Sequence, residues 1–129
     1  MNKLKKWLNA AKRMFDKYFN AFYALKDYLR YRKAVMMADE AHAKDGDRYY
    51  VMPSMDGKLL VMDRKNFRAL KRKGYIQKNA SMQNAIAECF YYTSRIGGAE
   101  VMPEHVRTMK YTEYKSWCKA MRMLNHYTR

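Results

Sequence analysis

Residues 58–78, KLLVMDRKNFRALKRKGYIQK, carry eight Lys or Arg and a single acid. Side chains of that kind neutralise phosphates and release condensed counterions, an attraction that is strong and reads no base sequence. Asp63 reads as the N-cap of a helix and Gly74 as the residue just past its end. On the wheel of that helix Phe67 and Leu70 form a short apolar edge. Beside the edge, Arg64, Lys65, Arg68, Lys71 and Arg72 spread over an arc of about 120°. No acid answers them at i±3 or i±4, so the charges are not paired locally. Lys58, Lys73, Tyr75 and Lys78 extend the patch, and Tyr75 is placed either to stack on a base or to cover the core. The plainer reading of the same residues is a solvated face kept basic for solubility.

Other chemistries find little support. His42, His105 and His126 are scattered, and a catalytic His needs a nucleophile or carboxylate beside it. No P-loop, dinucleotide fingerprint, HExxH or GxSxG occurs, and the two glycines of RIGGAE (95–100) are too little for a phosphate cradle. Asp39, Glu40, Asp45 and Asp47 cluster, and DGD is a plausible ligand loop. The spacing and downstream Glu of an EF-hand are absent, and a helix end with a turn accounts for these acids. Cys89 and Cys118 belong to no CxxC pair and read as small buried thiols in a reducing compartment. The expectation is a protein that is not an enzyme, with no metal and no cofactor.

The net charge of the 129-residue chain is +15, from 27 basic and 12 acidic side chains. It falls in three basic blocks, residues 1–35, 58–78 and 104–129, separated by a locally acidic stretch (36–57) and a near-neutral one (79–103). An excess of this size repels itself unless an anionic partner or salt offsets it. Nucleic acid, anionic lipid and an acidic protein are the candidate partners. The lysines of MNKLKKW are followed by Asn9, Lys12 and Arg13 rather than by an apolar run, so no signal peptide is expected. No window reaches transmembrane length. The expectation is a soluble, cytoplasmic protein.

LKRKGYI, residues 70–76, resembles the end of the recognition helix in winged helix-turn-helix proteins, where Lys-Gly closes the helix and an apolar residue opens the wing. That resemblance implies DNA binding by the same helix. The order of elements departs from the family: here a hairpin precedes the helix, and a loop and another helix follow it. The charge, not the resemblance, carries the reading.

The elements that must position these residues follow from periodicity. Leu4, Leu8, Ala11, Phe15, Tyr18, Phe22, Leu25 and Leu29 recur at alternating steps of four and three, inside a helix expected over residues 3–43. Trp7, Met14, Ala21, Tyr28 and Val35 form a second row. The joint stripe is wider than a two-stranded seam, which favours packing on its own domain or in a bundle, with self-association through Leu8, Phe15, Phe22 and Leu29 second. Lys3, Lys5, Lys6, Lys12, Arg13 and Lys17 beside Trp7 and Phe15 also suit an anionic membrane surface, a weaker reading.

Tyr49–Met52 and Lys58–Met62, split by Asp56-Gly57, predict a β-hairpin whose first strand is at an edge or ends at Pro53. Two strands alone are marginal and need helices or another strand. A helix is expected from Ser81 or Asn79 to about Ile96, closed by Gly97-Gly98, with Met82, Ala85, Ile86, Cys89 and Phe90 inward. Val101-Met102 reads as a short extended piece. A last helix capped by Thr112 carries Tyr114, Trp117, Met121 and Leu124.

The fold class is therefore α+β, mainly helical: a long N-terminal helix, one β-hairpin and three shorter helices in one domain (1–129), with a long amphipathic helix at 1–44 and the hairpin and helices at 48–129. The functional expectation is a small basic accessory protein that binds the backbone of DNA or RNA with little sequence specificity. The alternative is a structural or assembly protein, of phage, mobile-element or bacterial origin, working through contacts of the first helix as a homo-oligomer or with a partner.

Overall fold

The structure, a computed structural model, describes residues 2–76, 78–94 and 101–128, with side chains through Leu124. It is mainly helical, with a small antiparallel sheet, as the periodicity predicts. Helix α1 spans Asn2–Asp45, uninterrupted. Strands β1 (Tyr50–Pro53) and β2 (Leu59–Met62) form the hairpin, and helix α2 is Arg64–Arg72. A 3-10 turn (Met82–Asn84) leads into the short α3 (Ala85–Glu88), followed by β3 (Tyr91–Tyr92) and α4 (Glu104–Thr128). The chain divides into two compact units, Met1–Arg30 and Tyr31–Arg129.

In the second unit the sheet runs β2-β1-β3, with both pairings antiparallel. The hairpin turns where Asp56-Gly57 predicts, with Gly57 at φ 83°. The Ser54 hydroxyl accepts from the Lys58 amide at 2.9 Å and steadies the turn. Pro53 ends β1, but β1 is the central strand rather than an edge. Its arrangement tolerates Pro because β3 pairs only with Tyr50 and Val51 and stops short of it.

Alternation along the strands sorts the side chains to two faces. Tyr50, Met52, Met62 and Tyr92 pack with Phe67 of α2 and with Ala85 and Cys89. Val51 packs on Ala34 and Ala38 of α1, whose small side chains let strand and helix approach closely. Tyr31, Val35, Phe90, Tyr114 and Cys118 complete this side, with Tyr31, Phe90, Tyr114 and Trp117 in ring-to-ring contact. Both cysteines are buried thiols outside any disulfide, and burial pushes the Cys89 thiol up to about 11.

Several further expectations are corrected. The helix expected from residues 79–81 to about 96 ends at Glu88; the expected glycine stop at 97–98 lies outside the described residues. Cys89 turns extended, and the Phe90 and Thr93 amides donate to the Val51 and Tyr49 carbonyls at 2.8 and 3.0 Å. The free edge of β1 thus draws the aromatic run 90–92 into a third strand, which outweighs a weak helical preference. Ile86, expected inward, is exposed.

The last helix begins at Glu104 rather than at Thr112, whose hydroxyl donates within the helix to the Thr108 carbonyl. Tyr114 is buried and Trp117 and Met121 are half-buried, while Leu124 is exposed. In the first unit the stripe residues Leu8, Phe15, Phe22 and Leu29 are 53, 64, 60 and 51% exposed.

Candidate nucleic-acid interface

Helix α2 is held by local rules at both ends. The Asp63 carboxylate accepts from the Asn66 amide at 2.8 Å, satisfying one of the donors a helix start leaves open. Its charge also offsets the unfavourable placing of Arg64 and Lys65 in the first turn. At the other end Gly74 sits at φ 87°, and its amide donates to the Lys71 carbonyl while the Tyr75 amide donates to Leu70. This pair of bonds is a Schellman closure. Lys71 and Arg72 in the last turn complement the helix dipole. Phe67, 4% exposed, anchors the helix to the sheet.

That anchoring decides which way the cations face. Arg64, Lys65, Arg68, Arg72 and Lys73 are all exposed. Arg64, Arg68 and Arg72 have no hydrogen-bond or ion-pair partner among the described residues. Lys71 differs from its neighbours: it is half-buried, and its ammonium donates to the Ala80 carbonyl at 2.7 Å, fastening the segment after α2. Lys58 is exposed in the hairpin turn and Lys78 beyond α2. Tyr75 is 45% exposed, and its carbonyl accepts from the Met55 amide, so the turn that follows α2 is tied to the hairpin loop.

A surface recess of about 620 Å³ lies at the start of α2, lined by Asp47, Arg48, Tyr50, Asp63, Arg64, Lys65 and Arg68. Arg48 was not legible as a member; the turn after α1 carries it there, with its guanidinium 5.2 Å from the centre of the Tyr92 ring. The recess is mixed in sign. One oxygen from each of Asp45, Asp47 and Asp63 lies within 4.8 Å of the others, the group among the described residues with the donors for a divalent cation. Each has a structural duty as well. Asp45 accepts the Tyr49 hydroxyl at 2.5 Å and the Asp47 amide at 2.9 Å, Asp63 caps α2, and Asp47 offers its carbonyl to His42. Hydrogen bonds from Tyr49 and the Asp47 amide, with Lys65 nearby, hold the Asp45 carboxyl below its ordinary range, and the same bond raises Tyr49 to about 12.

The carboxylates lower the potential at the first turn. The purely cationic part of the surface is the far end of the arc, where Arg72 stands on the order of 12 Å along the axis from the helix start. His42 gains a neighbour that its sequence position does not reveal: its Nε2 lies 3.2 Å from the Ser94 hydroxyl while Nδ1 meets the Asp47 carbonyl at 2.8 Å. These bonds fasten the end of α1 to the sheet. No helix among the described residues is long and apolar enough to cross a membrane. Comparison with known proteins returns no match to a family model, a curated protein or a solved structure.

Proposed function

We propose that the chain is a nucleic-acid-binding accessory protein that grips the phosphate backbone through α2 and reads little sequence. The reading rests on one observation: Arg64, Arg68 and Arg72 share one exposed helix face and none of the three forms an ion pair with a described residue. Guanidinium groups match phosphate oxygens in pairs, and three on one rigid helix keep their spacing. Arg68, Arg72 and Lys73 make the primary contacts, Lys58 and Lys78 the flanking ones, and Tyr75 offers a ring to an unpaired base. Lys71 serves the fold and contributes only its field. The role is binding rather than catalysis, in the cytoplasm.

Fluorescence anisotropy with labelled duplex and single-stranded DNA and RNA, repeated across salt concentrations, tests this. The expected result is an affinity that falls steeply with salt and is lost in the triple variant Arg64→Glu, Arg68→Glu, Arg72→Glu. Arg68→Ala alone weakens binding for every sequence alike and lowers the salt slope by about 1. Binding that is absent at low salt, or that survives the triple variant, overturns the reading.

A further inference from the structure

We infer that residues 4–29 are a self-association surface, occupied by the same helix of other copies of this chain running parallel and in register. The inference is independent of nucleic-acid binding. It starts from exposure: Trp7, Phe15, Tyr18, Phe19 and Phe22 are each 57–71% exposed, as are Leu4, Leu8, Met14, Leu25 and Leu29 at 51–64%. Aromatic side chains bury ~150–250 Å² each, so covering these five removes on the order of 600 Å² from water. The leucines and Met14 add several hundred more. The total reaches the ~800 Å² per partner of a standard stable interface and exceeds what a monomer ordinarily leaves open.

The spacing identifies the occupant. The seam from Leu4 to Leu29 steps by four and three without a break, a 3.5-residue period. A straight helix drifts about 20° per heptad against such a repeat. Supercoiling around an equivalent helix cancels that drift, whereas a flat lipid surface does not. The stripe takes three of every seven positions, the width that a helix in a multi-helix assembly buries.

Charge then selects direction. With Leu4 and Leu8 as d and a positions, the e positions are Lys5, Lys12, Phe19 and Lys26, and the g positions are Trp7, Met14, Ala21 and Tyr28. Parallel helices set g of one against e of the next. Trp7 then faces the Lys12 of the adjoining copy, a cation–π pairing, and Met14 faces Phe19, a sulfur–aromatic one. Antiparallel helices set e against e, bringing lysine to lysine. Arg13 and Lys17 stay on the outer face in either case.

Sedimentation equilibrium of the full chain over a concentration series at moderate salt gives the first readout. A multiple of 15.5 kDa is expected, returning to a single chain in the double variant Phe15→Glu, Phe22→Glu with circular dichroism unchanged. Ala11, the smallest seam residue, gives the second: Ala11→Cys is expected to form an intermolecular disulfide above the wild-type background, because in register it meets itself. A wild-type mass of one chain at every concentration overturns the inference, as does an assembly that survives the double variant. A monomer that instead co-sediments with phosphatidylglycerol vesicles overturns it in favour of lipid. An assembly that Ala11→Cys fails to cross-link overturns the parallel arrangement.

Discussion

Residues 4–29 and residues 31–38 follow one another on α1, and both are apolar at helical spacing, yet they meet opposite fates. In the later stretch Tyr31, Ala34, Val35 and Ala38 are at most 7% exposed. In the earlier one the aromatic and leucine side chains face solvent. The difference lies in size and in what is opposite. Ala34 and Ala38 let Val51 of the central strand come close, and Tyr31 reaches the Phe90 carbonyl with its hydroxyl at 2.9 Å. An apolar stripe states that a face seeks cover; shape and polar partners decide where the cover comes from.

The sharpest way to break this comparison is truncation on each side of it. Tyr114→Ala removes a side chain with no exposed surface and is expected to cost about 3–5 kcal/mol in denaturant unfolding. Phe15→Ala, measured at dilution where the chain is monomeric, is expected to change stability by no more than about 0.5 kcal/mol. Equal losses from the two would remove the distinction.

Next comes the polar side of the interior. Lys110, 3% exposed, donates to the Ile86 and Cys89 carbonyls at 2.5 and 2.8 Å and closes the end of α3 where the chain turns into β3. Lys110→Met keeps the bulk but strands those carbonyls, with an expected loss of about 2 kcal/mol. Hydrogen exchange should show the amides of Phe90 and Thr93 opening first.

A smaller effect falls on α2, at the margin of the interior. Asp63→Ala removes the cap and is expected to cost about 1 kcal/mol; it leaves Arg68 and Arg72 in place, so nucleic-acid affinity at low salt should change little.

The smallest effect is electrostatic. Asp45 is fully exposed and its carboxyl is held below the ordinary value of 3.8, first by the Tyr49 hydroxyl. A carboxyl depressed by folding stabilises the fold above its unfolded pKa and loses that contribution as pH falls below it. The acid limb of a stability–pH curve should therefore shift slightly in Tyr49→Phe, while the neutral region stays flat; an unchanged acid limb would show the bond to be without thermodynamic weight.

What was legible in the sequence was whatever a few neighbouring residues decide. The Asp56-Gly57 turn, the Asp63 cap, the Gly74 closure and the shared arc of Arg64, Lys65, Arg68 and Arg72 all depend on spacing within one turn or one helix. So does the continuous heptad row of α1, since no Gly or Pro interrupts it before Gly46. Misread were the residues whose state depends on a distant partner. Tyr91 and Tyr92 fit a helix or a strand equally well until the open edge of β1 is beside them. Lys71 is indistinguishable from Arg68 by type and spacing, and only the Ala80 carbonyl separates the fastening residue from the free one. Lys110 resembles every other lysine of a basic chain until the Ile86, Ala87 and Cys89 carbonyls converge on it.

The sequence by itself determined the long first helix, α2, the hairpin and the cationic face, because backbone geometry and side-chain period are local and short-range. Tertiary structure alone decided the third strand, the buried lysine, the mixed sign of the recess at the start of α2, and which half of the apolar stripe is covered. Those outcomes turn on which donors, acceptors and surfaces meet across distances in the chain, and no single segment contains both partners.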